Sequence, residues 1–477
     1  MITSKKTVRI LLAAVRAIHY KLATHFEWSG HAQANYTSGF PLPCLPKLQY
    51  RQVSRAGHLK SFITLIIVCS CLSSNAQKTL SYSDKTYEQQ IRTVQLFPNF
   101  GGTRDYLQSP ATPMQEQNLI LEFDDLQDNR NNYYVKLIHC NYDWTKSVLM
   151  DLDFLENYNE NPITDYTFSI NTHSRYIHYR YPVQPVKLPG NYLLIVYRND
   201  KSDLVLSKRM MIYDNQIGMV KDNLFIGAGN LNSAKQQFNF DLDYSNLEIL
   251  NPLETVHVTL RQNQRWDNAK FNLQPSFLRD NERKLEYRFL DTEKQFDGGN
   301  EFRFVDFRSL NYPGQNTGKI VKDVKPYELY VALDVPKSFD SYAYALYPDL
   351  NGNYLIENLD VGEPTLTGNY IYTTFYLKSP QPIDGEVYII GAFNNYQHLE
   401  ENKMKYNSTG YYENRQFLKQ GLYNYQYEVI SKTKPPTFIE GSHYQTENMY
   451  EVLIYNHPFR PNADLLIGYY LIPVNPR

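Results

Sequence analysis

From Tyr133 to Asn141 the chain alternates with a period of two, and both halves of the alternation are largely apolar. Tyr133, Val135, Leu137 and His139 fall on one face; Tyr134, Lys136, Ile138 and Cys140 fall on the other. Successive side chains of a strand point to opposite faces, so a strand that is apolar on both belongs inside a sheet covered on both sides. Leu193, Ile195 and Tyr197 alternate with Tyr192, Leu194 and Val196 in the same way. Helical periodicity is scarce after Gln77. Further strands are expected at Leu119–Phe123, Gln237–Asp243, Thr255–Arg261, Leu285–Phe289, Phe302–Phe307, Tyr327–Leu333, Ile371–Leu377, Val387–Ile390, Tyr423–Val429 and Met449–Tyr455. Many short strands broken by Gly, Pro, Asn and Asp turns predict an all-β protein.

A turn pattern recurs among these strands. Leu188-Pro189-Gly190-Asn191-Tyr192 and Gly421-Leu422-Tyr423 lead into alternating runs, as do Gly352-Asn353-Tyr354 and Gly368-Asn369-Tyr370. The glycine permits a tight turn, and the tyrosine after it can return its hydroxyl to the corner backbone, as in the tyrosine corner of immunoglobulin-like sandwiches. Recurrence in separated parts of the chain predicts tandem β-sandwich domains. Polar breaks at Tyr213–Gly218 and at Glu363-Pro364 with Thr367-Gly368 divide it into 77–216, 217–362 and 363–477.

Ahead of these blocks stands a different segment. Ser61 to Leu72 is mostly apolar, is preceded by Arg55, His58 and Lys60, and is followed by Ser74-Asn75-Ala76 before Gln77. A basic flank, a run of about eleven apolar residues and small residues at the cleavage positions form the layout of a secretory leader. A membrane-spanning helix needs about 20 residues, so the run is too short to remain in a bilayer. The expected signal peptide is 57–76, with the mature chain beginning at Gln77 and carrying no integral membrane segment. The stretch before it reads as the product of a start site assigned too early, although Val8, Leu11, Leu12, Val15, Ile18 and Leu22 have helical spacing. The alternative is that Phe62 to Val68 forms a buried strand of a cytoplasmic protein. Val68-Cys69-Ser70-Cys71 also faintly resembles a lipobox, which ranks lipidation of Cys71 behind cleavage after Ala76.

The chain has 477 residues, with 48 Lys+Arg against 50 Asp+Glu, so no strong field favours a polyanion and nucleic acid is not expected as a partner. Tyr is abundant, at 42 residues. Its flat ring suits half-buried pleated surface while its hydroxyl reaches water. Of the cysteines, Cys140 alone lies beyond Gln77, so the mature chain has no intramolecular disulfide and depends on core burial.

Signals for catalysis fail on spacing. Gly314-Gln315-Asn316-Thr317-Gly318-Lys319-Ile320 has three residues between its glycines where a phosphate loop needs four, and Ile320 where a magnesium ligand belongs. Asp349, Asn351 and Asn353 have calcium-like spacing, but Asn351-Gly352 reads better as a tight hairpin turn. The histidines show no zinc spacing, and Gly-x-Ser-x-Gly is absent. Asp124-Asp125 and Asp151 with Asp153 read as solvated turns. His139 and Cys140, adjacent on one strand, point to opposite faces and make no dyad. No catalytic, cofactor-binding or metal-binding residues are assigned, the chain is not expected to be an enzyme, and no cofactor or small-molecule substrate is expected.

The third block contains Gly385-Glu386-Val387-Tyr388-Ile389-Ile390-Gly391-Ala392-Phe393-Asn394-Asn395-Tyr396, then Met404, Gly410-Tyr411-Tyr412-Glu413 and Gly421–Val429. It resembles the early-set, glycogen-binding type of carbohydrate-binding module, with Ala392, Tyr396 and Tyr412 in place of the Asp and two Trp of that pattern. The resemblance implies an early-set sandwich, and as an alternative function a periplasmic carbohydrate-binding protein that uses Tyr396 and Tyr412.

Other segments extend over the mature chain: Lys85-Thr86-Tyr87-Glu88, Thr93-Val94-Gln95-Leu96, Leu121–Leu126, Tyr133–Trp144, Asn161–Tyr166, Lys187–Asn199 and Phe296–Phe302. In this order they resemble the plug protein family of the type 9 secretion system of Bacteroidetes, formerly a domain of unknown function. The resemblance implies a non-catalytic periplasmic protein of several sandwiches. Its partner would be the outer-membrane translocon barrel, whose periplasmic opening it would block. Exposed loop aromatics such as Tyr312 are the natural contacts for such a partner, although Tyr312 is expected to pack onto its own turn. The partner-binding residues are unknown at this point.

Overall fold

The computed structural model describes residues 78–102, 105–221, 234–237, 239–289, 294–338 and 344–476. The leader at 57–76, the helical spacing at Val8–Leu22 and Cys44, Cys69 and Cys71 lie outside the described residues.

The chain is all-β, and its strands pair antiparallel with few exceptions. The strands Leu119–Asp125, Tyr134–Cys140, Val256–Gln262, Tyr370–Lys378, Gly421–Ile430 and Asn448–Asn456 form with ends within two residues of those expected. In the first sandwich, one sheet contains Tyr134–Cys140, Gly190–Tyr197 and Leu204–Tyr213. The facing sheet is ordered Ile91–Pro98, Leu119–Asp125, Ile177–Pro182, Asp165–Phe168. Between them lie Leu121, Phe123, Val135, Leu137, Tyr192, Leu194 and Val196.

The other face of the first sheet is buried as well. Ile138, Cys140, Leu193, Ile195 and Tyr197 pack with Leu453, Tyr455 and Leu466 from near the C-terminus. This is the physical origin of the two-faced apolar alternation: the sheet forms one wall of its own core and one wall of a second. At about 25 cal/mol per Å² of apolar surface, both faces contribute to holding it in place.

The second sandwich does not end at residue 362. One of its sheets contains Gly218–Lys221, Phe240–Asp243, Lys284–Tyr287 and Phe277–Arg279. The opposing sheet is ordered Lys270–Leu273, Val256–Gln262, Asn448–Asn456, Leu465–Val474. Val256 pairs with Asn456 and Gln262 with Tyr450. Val258, Leu260, Leu285 and Tyr287 share one core with Tyr450, Val452, Ile454 and Ile472. The boundaries 217–362 and 363–477 are therefore corrected. The last two strands complete the second sandwich, and the third is inserted within it.

That inserted sandwich has a core running from Val305 to Ile439, including Phe307, Ile371, Phe375, Val387, Tyr425 and Val429. One of its sheets is ordered Thr317–Val321, Glu328–Val331, Tyr370–Lys378, Tyr411–Lys419, Lys405–Tyr406. The other gathers Arg303–Asp306, Tyr354–Ile356 and Glu386–Ile390 along the long strand Gly421–Ile430. Glu363 to Gly368, read from sequence as a polar hinge, holds the single helical turn Pro364–Thr367.

Two of the four Gly-Tyr turns close as tyrosine corners. The Tyr192 hydroxyl donates to the Leu188 carbonyl at 2.6 Å, and the Tyr423 hydroxyl to the Lys419 carbonyl at 2.6 Å. Tyr370 instead sends its hydroxyl out of its own sandwich to Asp124 at 2.7 Å. Tyr354 stacks on Tyr423 with ring centroids 5.3 Å apart. At Asn351 and Gly352 φ is 50° and 85° and the Asn353 amide donates to the Leu350 carbonyl at 3.0 Å, so the expected tight turn forms, but no described strand leads into it and Tyr354–Ile356 pairs with Gly421–Ile430, so it closes no hairpin.

Candidate functional site

Among the described residues, several buried polar side chains lie at the pairwise junctions between the sandwiches. Asp124, on the first sandwich, accepts hydrogen bonds at Oδ2 from Lys419 Nζ at 2.7 Å and from the Tyr370 hydroxyl at 2.7 Å, both on the inserted sandwich. Its Oδ1 is 2.8 Å from His178 Nδ1. Lys419 Nζ also donates to the Thr365 carbonyl at 2.7 Å and lies 4.2 Å from the centre of the Tyr176 ring. The Tyr176 hydroxyl donates to the carbonyls of Thr365 at 3.0 Å and Gly368 at 3.1 Å. Burial pushes the Asp124 carboxyl up, but the charge of Lys419 and the bond to His178 more than offset this and hold it below the usual carboxylate range.

This overturns the expectation that Asp124-Asp125 is a solvated turn. Both residues are buried at the end of an inner strand. Asp125 accepts from the Tyr133 hydroxyl at 2.7 Å and from Asn131 Nδ2 at 2.9 Å. A buried carboxylate survives only with partners of this kind.

The other junctions use the same means. Arg261 Nε and Glu451 Oε2 form a buried ion pair at 2.6 Å within the second sandwich. The Arg261 guanidinium also bonds Ser109 of the first and lies 4.1 Å from the Trp266 ring. Trp266 meets Trp144 of the first sandwich edge-on at 5.0 Å. Arg265 of the second covers the Tyr396 ring of the third at 4.4 Å. Each sandwich thus touches the other two.

The candidate sugar platforms are not available for stacking. Tyr396 is buried beneath Arg265 and meets Phe302 edge-on. Tyr412 is buried as well, and its hydroxyl accepts the Ile383 amide at 2.7 Å. Sugars stack on open aromatic faces, and neither ring offers one.

The remaining motifs resolve structurally. His139 faces the first core against Tyr192 and Phe154, and Cys140 faces away beside Trp144. Burial lowers the His139 imidazole to about 4 and pushes the Cys140 thiol up to about 12, so neither is primed for nucleophilic work at neutral pH. Gly314–Ile320 is a turn leading into Thr317–Val321, which pairs with Glu328–Val331. Asp349 accepts the amides of Asn351 at 2.7 Å and Phe302 at 2.5 Å, and burial pushes it up to about 6. Among the described residues no group of His, Cys, Asp and Glu could hold a metal ion, and no helix is long and apolar enough to cross a membrane. Tyr312 is 82% exposed, against the expectation that it packs onto its own turn. Sequence reasoning missed Lys419, Tyr176 and Arg261, whose partners are remote in the chain.

Residues 91–214 match the family model described as the type 9 secretion system plug protein 1st domain, which supports a relationship of this part of the chain to the type 9 secretion system plug family. A hypothetical protein from Parabacteroides merdae, known from a crystal structure, is similar at 28% identity and a TM-score of 0.75, over 83% of this chain and 100% of that one. No curated protein matches.

Proposed function

We propose that this chain is a non-catalytic, periplasmic component of the type 9 secretion machinery that stops the periplasmic opening of the outer-membrane translocon barrel. The observation that carries the reading is the match of residues 91–214 to the plug first domain. The physical argument concerns rigidity. A body that blocks a pore must keep its outline when pressed, and so its parts must not move against one another. Domains joined by small polar contacts move by default. Here the first and second sandwiches share a hydrophobic core, and the first and third share Asp124, Lys419 and Tyr370. Buried ion pairs add little net stability, but breaking one is costly, so they favour a single arrangement of the parts.

The test is co-purification. A tagged translocon barrel is extracted from the outer membrane and its companions are identified by mass spectrometry. This chain is expected among them in comparable amount. Its repeated absence, with the other components present, rules the reading out.

A further inference from the structure

A cleft of about 170 Å³ opens between the first and inserted sandwiches, lined by residues 91–94 of the first and by residues of 392–401 and 416–419 of the inserted one. The strand Ile91–Pro98 is irregular at this point. Arg92 pairs with Asp124 and Gln95 with Glu122, so one extra residue is accommodated between them as a β-bulge. Thr93 within it has φ 50°, a left-handed backbone that a β-branched residue rarely adopts. Its hydroxyl lies 2.6 Å from that of Tyr370 and pins the bulge to the inserted sandwich. Bulges re-aim side chains, and here the neighbouring side chain is a lining residue, Arg92.

Arg92 stands apart from the other charged groups of the cleft. Glu88 is engaged by Lys78 and Arg198, and Lys419 by Asp124. Arg92 Nε is shut off from solvent and has no hydrogen-bond partner, and its terminal nitrogens bond none of the described residues. A guanidinium carries a permanent charge and five donors, so it is left in want of an acceptor. Two further groups are open. Gln397 Nε2 donates to the Asp84 carbonyl at 2.6 Å and Gln416 Nε2 to the Glu401 carbonyl at 2.8 Å, whereas the Oε1 atoms of both accept nothing from the described residues. The lining therefore offers one free cation, two free carbonyl acceptors and, in Phe393 and Leu399, an apolar surface.

This set discriminates between ligands. A neutral sugar leaves the Arg92 charge uncompensated. A phosphate dianion exceeds the one free cation and meets the carboxylates of Glu88 and Glu401, which also line the cleft. A carboxylate matches the guanidinium fork in charge and shape. An N–H beside that carboxylate supplies what the glutamine oxygens accept, and a side chain beyond it finds the apolar surface. The volume is below the roughly 300–1,000 Å³ of a pocket that encloses a whole drug-sized molecule, and so it suits a single residue. We propose that this cleft binds an amino-acid unit with a free carboxylate, as a free amino acid or as the last residue of a peptide, with Arg92 as the carboxylate anchor. The site is independent of the plug reading.

The experiment is calorimetric titration of the purified protein with four probes: phenylalanine, an N-acetylated tripeptide ending in phenylalanine, the same peptide with its C-terminus amidated, and inorganic phosphate. At least one of the two free carboxylates is expected to bind saturably, and the tighter of them identifies the source. The amidated peptide and phosphate are expected to bind at least tenfold more weakly, because neither can form a charge-matched fork with Arg92. Arg92→Gln is expected to weaken the carboxylate ligand at least tenfold with little change in the thermal unfolding midpoint, because the side chain makes no bond that is lost. No saturable binding of either carboxylate, equal binding of the amidated peptide or of phosphate, or a folded Arg92→Gln variant that binds like the parent overturns the site. Should Arg92→Gln fail to fold, the comparison of acid with amide on the parent protein still decides.

Discussion

Lys419 donates to Asp124 at 2.7 Å across the junction of the first and inserted sandwiches, and both side chains are 1% exposed. Removing one member leaves a buried charge without its counterion, which costs about 3–5 kcal/mol, whereas removing both costs much less. Lys419→Met is expected to lower the thermal unfolding midpoint strongly at pH 7, and Lys419→Met with Asp124→Asn to recover most of the loss. Calorimetry on the two variants checks this, and a double variant no better than the single would show that the pair is not coupled. The pH dependence has a definite sign. The Asp124 carboxyl is lowered in the folded protein, so its contribution is complete above the unfolded value near 4 and disappears as pH falls through the lower folded value.

The two tyrosine corners make a second, smaller prediction. Tyr192 and Tyr423 each spend their hydroxyl on a carbonyl four residues back. Tyr192→Phe and Tyr423→Phe keep the ring in place and leave that carbonyl without its partner, at a cost of about 1 kcal/mol each. The corners lie in different sandwiches, so the two effects are expected to add in the double variant. Denaturant unfolding of the three variants measures this. Strong non-additivity would mean that the corners are linked through the packed junctions.

What the sequence disclosed and what it concealed follow from how far apart the interacting residues lie. The strands Tyr134–Cys140 and Gly190–Tyr197 were legible because burial on both faces writes an apolar residue at nearly every position. Ile177–Pro182 and Leu204–Tyr213 were not, because His178, Arg180, Lys208 and Arg209 interrupt the pattern. Those residues are tolerated through partners elsewhere: His178 reaches Asp124, and Arg209 donates to the Tyr82 carbonyl at 2.7 Å. Asp124 looked like a rim residue because its ammonium partner is 295 residues away. The insertion of the third sandwich was hidden for the same reason, since no local signal marks Asn448–Asn456 as the neighbour of Val256–Gln262.

His139 makes the first sandwich sensitive to mild acid. Its imidazole is buried against Tyr192 and Phe154, and burial lowers it to about 4. In the unfolded chain it titrates near 6.5, so between those values the unfolded state holds one more proton and stability falls as pH falls. The loss is complete only below the folded value, and at pH 4.5 it amounts to about 2–3 kcal/mol relative to pH 7. His139→Gln is expected to flatten this part of the pH profile. Unfolding at a series of pH values compares the two proteins, and an unchanged slope in the variant would assign the acid sensitivity to another group.

Tyr396 separates a packing role from a binding role. Its ring is buried between the Arg265 guanidinium and Phe302, where it joins the second and inserted sandwiches. Tyr396→Ala removes a large ring from a closed contact and is expected to destabilise the protein by about 3–5 kcal/mol. Tyr396→Phe keeps the ring under the guanidinium and is expected to cost far less. If Tyr396 were instead a sugar platform, both variants would unfold like the parent, and Tyr396→Ala would lose retention on a starch-like matrix while Tyr396→Phe kept it. Thermal unfolding and affinity electrophoresis on the same three proteins decide between these outcomes. A stable Tyr396→Ala that no longer binds glycan would restore the carbohydrate reading, because only an accessible ring can be removed from a junction without cost.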